Sequence, residues 1–412
     1  MLRRLGSTPS RLRIATALAV LAGLVLAIAG LGALAAKSGD LDRARAENGD
    51  QARLQIVRTK LVVADAAAGI DVLLGPDQPR LTPHDYAWAL QPAVIGLAIA
   101  ARQADDAFPL AVANLRLSEY AGQVDSAREL ALLGRPEAAG RLTAASSGLR
   151  TEVLPRLAAV QATGADRLRA DADASATGTV IAVAAGAVAV LLLLGVQVWL
   201  ARRTRRVVNV GLATGLIAVA VALVGASVVA TRSDGEVDRV RSGPYRLTQA
   251  LVDARMAAFD ARAVESLGVV RGDVPGAEPA WQASMAQARA ALGTSDRIAA
   301  GTGAAADVAQ SRRLLDTYAA VHARLLAAAQ GGDRAGTVAV AVSPTVDGSP
   351  GSFEDVDTTT AALTARQAEA ADAGWRRAGS GLTLAAWTCL VAGLAAAVLA
   401  LVGMGSRLRE YR

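Results

Sequence analysis

Three features of this chain predict an all-α membrane fold: four long apolar runs, two polar stretches of similar length between them, and helical periodicity. The apolar runs contain no charged residue and cover 14–36, 177–200, 207–230 and 381–404. Each run can cross a hydrocarbon core of about 30 Å at a rise of 1.5 Å per residue. We predict four transmembrane helices and two antiparallel four-helix bundles, over 37–176 and 231–380, which make an internal duplication.

The charge distribution predicts the orientation of these spans. The segments 1–13, 201–206 and 405–412 together contain eleven arginines and one acidic residue, whereas the whole chain has a net charge of +6. An excess of arginine in short segments beside the spans indicates the cytoplasmic side. We therefore expect both termini and the connector 201–206 in the cytoplasm, in contact with lipid headgroups, and both bundles outside. The high pI then gives no reason to expect nucleic acid as a partner.

The first apolar run resembles a signal peptide in its basic flank and its small-residue end, Ala33, Ala35 and Ala36. It is longer than the apolar region of a signal peptide, which spans roughly 7–15 residues. We interpret 14–36 as an uncleaved anchor and leave cleavage after Ala36 open.

Turn residues divide both polar stretches into helices. In the first stretch, helices are expected up to Gly75, then over about 84–107, 110–133 and from Glu137 towards the second span, with a kink at Pro155. In the second stretch, helices are expected over about 236–271, 278–300, 304–330 and 354–378. Residues 333–342 alternate like a strand, but a lone strand in a bundle is disfavoured, so we expect helix or irregular structure there.

Two aspartates are the candidate ligand or partner residues. The segments 59–68 and 254–263 align as a repeat and place Asp65 opposite Asp260. Asp65 lies on the apolar stripe of its helix, close to three turns after Leu54. Each carboxylate either holds a cationic or amino-acid ligand or pairs with an arginine of its own domain.

Catalytic and metal-binding patterns are missing from the sequence. The two histidines, His84 and His322, have no neighbouring cysteine or second histidine, so each is interpreted as a surface or capping residue rather than a zinc ligand. No phosphate-binding glycine loop and no EF-hand loop occurs. We expect neither enzymatic activity nor a cofactor.

Small residues at four-residue spacing in the spans indicate close helix packing. They are Ala19, Gly23 and Ala27 in the first span, Gly211 and Gly215 in the third, and Ala392, Ala396 and Ala400 in the fourth. This spacing is compatible with a packed four-helix membrane bundle and with a homodimer. Transport is disfavoured because the spans lack ionisable residues.

Residues 120–155 carry a resemblance to a known family. Tyr120, Val124, Ala127-Arg128, the turn from Gly134 to Gly140, Arg141-Leu142, Ala145-Ser146, Leu149-Arg150 and Leu154-Pro155 resemble actinobacterial four-span membrane proteins of the GlnX type. The resemblance implies two extracytoplasmic helical domains. It also implies an extracytoplasmic amino-acid-binding lipoprotein and a cytoplasmic Ser/Thr kinase as partners.

Two functions follow as alternatives. One is a sensor or adaptor that relays an extracytoplasmic signal across the membrane through small helix displacements. The expected cytoplasmic segments are short, so a separate protein would read the signal, and the candidate docking residues are Arg202, Arg203, Arg205 and Arg206. The other is a structural or assembly protein of the cell envelope that undergoes no ligand-driven change.

Overall fold

The computed structural model describes residues 8–74, 86–103, 107–204 and 210–409, and these ranges are helical with short turns and contain no strand. The predicted all-α class is confirmed. The helices are α1 (Thr8–Leu74), α2 (Tyr86–Gln103), α3 (Ala107–Leu132), α4 (Glu137–Gly148), α5 (Leu154–Thr204), α6 (Val210–Val240), α7 (Arg246–Arg271), α8 (Val274–Ala299), α9 (Ala305–Gln330), α10 (Arg334–Val342), α11 (Ser349–Gly379) and α12 (Leu382–Arg409).

Two of the connections between helices are π-helical turns, Leu149–Val153 between α4 and α5 and Arg241–Tyr245 between α6 and α7. Each lies at a proline. Pro155 has no N–H to bond the carbonyl four residues earlier, and the Leu154 N–H bonds the Leu149 carbonyl five residues earlier instead. The chain therefore stays helical from α4 into α5 through the π turn that precedes Pro155.

The helix ends follow the residues that predicted them. Helix α7 ends at Gly272, whose φ of 70° lies in the left-handed region that a side chain disfavours. Asp273 then begins α8 by accepting a hydrogen bond from the Gly276 N–H at 2.9 Å. Residues 334–342, for which the sequence left helix and irregular structure open, form α10.

The chain divides into two compact units. We call one the span unit; it comprises Met1–Ala46, Arg167–Arg239 and Asp372–Arg412. The other, the polar unit, comprises Glu47–Asp166 and Val240–Ala371. The polar unit draws on both of the predicted bundles.

Within the span unit, segments of α1, α5, α6 and α12 pack around a core of small and aliphatic side chains. Four helices of the described chain are long and apolar enough to cross a membrane, which makes this a membrane protein. Leu21, Ile28, Val221 and Val391 lie outside the core and are exposed, as lipid-facing side chains are.

Glycines bring α1 and α12 into backbone contact in the span unit. A Cβ atom added at Gly23 would lie 2.6 Å from the Gly393 carbonyl oxygen, and one added at Gly393 would lie 2.4 Å from the Gly23 carbonyl oxygen. A Cβ at Gly215 would lie 3.3 Å from the Cα of Ala396. Members of the predicted small-residue stripes therefore lie at helix contacts.

A buried lysine connects three helices of the span unit. Lys37 of α1 is fully buried and forms an ion pair with Asp234 of α6. Its Nζ also donates to Thr179 Oγ1 of α5 at 2.8 Å, and Thr179 Oγ1 donates to Asp234 Oδ2 at 3.2 Å. Such pairing is expected where a lysine is removed from water.

The polar unit has one hydrophobic core to which both halves of the chain contribute. Helices α1 and α7 lie in close contact there: a Cβ added at Gly69 would lie 2.4 Å from Ser266 Oγ. Alanines on both helices, including Ala68 and Ala261, are fully buried. Small side chains therefore let the first helices of the two halves approach closely, and this contact positions the site described next.

Candidate functional site

The two candidate aspartates share one arginine in the polar unit. Arg150 Nη2 lies 3.2 Å from Asp65 Oδ2, and Arg150 Nη1 lies 2.8 Å from Asp260 Oδ1. Arg150 Nη2 also donates a hydrogen bond to Asp65 Oδ2, and the contact with Asp260 is an ion pair. Asp65 thus pairs with an arginine of its own half, and Asp260 pairs with an arginine of the other half.

Asp65 is the buried centre of this site. Its side chain is 2% exposed, compared with 29% for Asp260. Ser146 Oγ donates to Asp65 Oδ2 at 2.7 Å, and Tyr120 OH makes a longer contact of 3.5 Å with Oδ1. Arg150 Nε in turn donates to Ser146 Oγ at 3.2 Å, so the serine orients the guanidinium as well as the carboxylate.

The π-helical turn positions Arg150. Arg150 is the second residue of Leu149–Val153, between α4 and α5, and Leu149 and Val153 on either side are fully buried. A π turn widens the helix by one residue and recurs at functional sites. Tyr120, Ser146 and Arg150 all belong to the segment that carried the family resemblance, and all three contact Asp65.

The electrostatics of the site follow from two acids sharing one cation. Burial raises the pKa of Asp65, opposed by the charge of Arg150 and by hydrogen bonds from Ser146, Arg150 and Tyr120. Burial also raises the pKa of Asp260, opposed by Arg150. Arg150 can balance only one of the two carboxylates when both are ionised, and the charge of Arg58 acts on Asp260 as well.

A second buried polar cluster lies around His322, and sequence reasoning missed it. The histidine was interpreted as a surface or capping residue, but it is 2% exposed. Nδ1 lies 2.6 Å from Glu265 Oε2, and Nε2 lies 2.9 Å from Glu278 Oε2. Its ring stacks on Trp281 with centroids 3.6 Å apart. His322 lies one helical turn after buried Tyr318, and that spacing is the signal that predicts its burial.

The charge state of this cluster follows from its geometry. Both ring nitrogens face carboxylate oxygens, so both must donate, and the ring is an imidazolium. Burial acts to lower the pKa of His322, but hydrogen bonds and charges from Glu265 and Glu278 outweigh it and raise the pKa. Burial acts to raise the pKa of Glu265, but His322 and Arg262 outweigh it and lower the pKa.

The two carboxylates lie on opposite sides of the ring, so they do not converge on one ion. Among the described residues, no group of three or more histidine, cysteine, aspartate or glutamate side chains is arranged to hold a metal. His84 lies outside the described residues.

The arginines of the predicted docking connector are described only in part. Arg202 is exposed near the end of α5, and Arg203 follows it in the same helix. Arg205 and Arg206 lie outside the described residues. The structure therefore does not test whether these four arginines form one surface.

The fold and the site define a helical membrane protein whose polar unit contains buried ionisable side chains. Residues 40–173 match the family model of the actinobacterial sensor domain. The match includes Asp65, Tyr120, Ser146 and Arg150, and it supports an actinobacterial sensor protein. No curated protein and no solved structure matches the chain significantly.

Proposed function

We propose that the protein is a multi-pass membrane sensor that relays an extracytoplasmic signal to a cytoplasmic partner. The match of residues 40–173 to the actinobacterial sensor domain is the observation that carries this proposal. The expectation that the chain is not an enzyme is part of the same proposal.

The proposed topology has both termini and the connector 201–206 in the cytoplasm and the polar unit outside. The arginine-rich segments beside the spans support this orientation through the positive-inside rule. The rule applies well here because the basic segments are short and lie directly beside the apolar runs.

The proposed relay depends on helices that hold a polar site and a span without interruption. Helix α1 contains both Asp65 and the apolar run 14–36, and α5 follows Arg150 directly and contains the run 177–200. A ligand or partner that changes the pairing of Arg150 with Asp65 or Asp260 would shift these helices along or about their axes. Shifts of about 1–2 Å between packed helices are a known form of switching.

The proposed partners come from the family resemblance stated above. They are an extracytoplasmic amino-acid-binding lipoprotein on the polar unit and a Ser/Thr kinase on the cytoplasmic arginines, Arg202, Arg203, Arg205 and Arg206. A basic surface suits an acidic partner segment, whose association would weaken with added salt.

A distance measurement tests the relay. Spin labels are placed at Ala36→Cys and Thr177→Cys in a Cys389→Ser background, because both positions are exposed and lie at the ends of the first two spans. The full chain in lipid nanodiscs is then measured with each amino acid, alone and with a purified extracytoplasmic binding lipoprotein. A change in the label distance that the Asp260→Asn variant lacks supports the relay. An unchanged distance under every condition supports the structural or assembly function instead.

A second measurement tests the output. A photo-crosslinking residue at position 202 should capture a Ser/Thr kinase in cells, and replacing the other three connector arginines by glutamine should abolish the capture while the topology stays unchanged. Undiminished capture by the glutamine variant would refute the docking role of the connector.

A further inference from the structure

A groove in the polar unit lies between α1, α7 and α11 and encloses about 70 Å³. Helix α1 lines it with Val63, Ala66, Ala67 and Ile70, which are one face at steps of three and four residues. Helix α11 lines it with the matching face Pro350, Phe353, Glu354 and Asp357, and α7 adds Phe259 and Arg262.

The inner wall of the groove is apolar. Phe259 and Phe353 are each 6% exposed, and their rings meet edge to face with centroids 4.8 Å apart. Ala66 and Ala67 have small side chains, so open space remains between them and the two phenyl rings. A short hydrocarbon chain would therefore find contacts on three sides.

Three charged residues line the groove, and two of them, Arg262 and Asp357, form ion pairs. Arg262 donates to Glu265 and, at 2.8 Å, to Ser349 Oγ, so its charge is already balanced. Asp357 forms an ion pair with Arg255.

Glu354 is the rim carboxylate with no ion pair among the described residues. It is half-buried, and its predecessor Phe353 packs into the wall. The groove thus offers one carboxylate without an ion pair beside an apolar wall. This arrangement favours a ligand that has a cationic head and an apolar body.

We propose that this groove binds a primary ammonium group carried on a short hydrocarbon chain, with Glu354 as the counter-ion. A carboxylate-bearing ligand is disfavoured because Arg262, which lines the groove, and Arg255, which pairs with Asp357, each form an ion pair with an acid. The enclosed volume equals that of about two water molecules, so only the ammonium end and the first few carbons are held. The proposed binding site is inferred from the groove alone, whereas its role as the ligand site of the sensor rests on the proposed function.

The proposed site is tested with three probes of similar shape: n-butylammonium, butyrate and 1-butanol. Saturation-transfer NMR on the full chain in phosphatidylcholine nanodiscs reports binding, and empty nanodiscs give the lipid background. A ligand of this size should bind with a Kd on the order of 1 mM. We expect n-butylammonium to bind and the other two probes to give only background signal.

Three variants test the assigned residues. Glu354→Gln, which keeps the shape of the side chain, should weaken n-butylammonium binding by about tenfold or more. Ala67→Leu should fill the groove and abolish binding. Glu369→Gln removes an exposed carboxylate elsewhere on α11 and should bind like the wild type. Equal binding of butyrate, or wild-type affinity in Glu354→Gln, would overturn the proposal.

The proposed binding site and the proposed relay can be refuted independently of each other. If n-butylammonium binds but the distance between labels at positions 36 and 177 does not change, the site stands and this ligand does not drive the relay. If amino acids change that distance and n-butylammonium does not bind, the relay stands and the groove is refuted.

Discussion

Arg150 and Asp260 come from different halves of the chain, yet Arg150 Nη1 lies 2.8 Å from Asp260 Oδ1. The same guanidinium also reaches Asp65, which is fully buried. One cation therefore pairs with both of the acids that the predicted repeat alignment places opposite each other. The pairing makes the contact between α1 and α7 sensitive to charge.

Replacing Arg150 should destabilise the polar unit. Arg150→Met leaves the buried Asp65 and the partly exposed Asp260 without this cation, and we expect a loss of about 3 kcal/mol in the free energy of unfolding, most of it at Asp65. The midpoint of thermal unfolding followed by circular dichroism measures this loss. Arg135→Met is the matched control, because Arg135 pairs with Glu137 at the surface and should cost at most about 0.5 kcal/mol. Similar losses in both variants would refute the central role of Arg150.

The His322 cluster should make stability depend on pH. The folded state raises the pKa of His322 above its ordinary value of 6.5, so the stabilisation is fully present below that value and is lost as the pH rises through the raised pKa. The melting midpoint should therefore fall as the pH is raised above 6.5.

Two histidine variants isolate this effect. His322→Gln should remove the fall in melting midpoint and should cost about 2 kcal/mol at pH 6, where the imidazolium is present. His84→Gln is the control and should keep the wild-type profile. A fall of equal size in the His322→Gln variant would assign the pH dependence to other groups.

Adding a methyl group at Gly69 should separate α1 from α7. Its Cβ would lie 2.4 Å from Ser266 Oγ, so Gly69→Ala should cost about 1–3 kcal/mol through overpacking. The second change Ser266→Ala removes the clashing oxygen and should recover part of the loss, as a double-mutant cycle would measure. Gly122→Ala is the control, since no atom lies within 4 Å of its added Cβ, and it should be neutral or stabilising.

Larger side chains at the glycine contact should disrupt the span unit. Gly393→Leu would place its side chain against the Gly23 backbone, and we expect a loss of at least about 2 kcal/mol. Resistance to unfolding in detergent, measured by the reactivity of the buried Cys389 thiol, reports the change. Gly225→Leu has open space around it and should leave the thiol protected. Equal reactivity in both variants would show that α1 and α12 do not depend on this contact.

The periodicity and the turn residues were sufficient to predict most helices, because those signals are local in the chain. Gly272 ended α7 as expected, and α8 and α9 begin and end close to the predicted residues, whereas α7 begins at Arg246 and α11 at Ser349, away from the predicted starts near 236 and 354. The π turn was not predicted: Pro155 indicates that a hydrogen bond is lost but does not say how the helix compensates.

The site was predicted only in part. The repeat alignment singled out Asp65 and Asp260, but their partner is a tertiary choice among many arginines. Nothing local distinguishes Arg150 from Arg141 or Arg156 before the chain is folded. The burial of His322 was not predicted, because the sequence interpretation rested on the absence of neighbouring metal ligands and not on the position of this residue one helical turn after Tyr318.

The break between α11 and α12 has a mechanical consequence. Gly381 has a φ of 82° and separates the two helices, while α1 and α5 run from polar residues into their apolar runs without a break. A continuous helix transmits both translation and rotation along its length, whereas an interruption of this kind lets one helix tilt while the other keeps its position. In the proposed relay the fourth span can therefore tilt independently of α11, whereas the first three spans continue into polar helices and are the segments able to transmit motion.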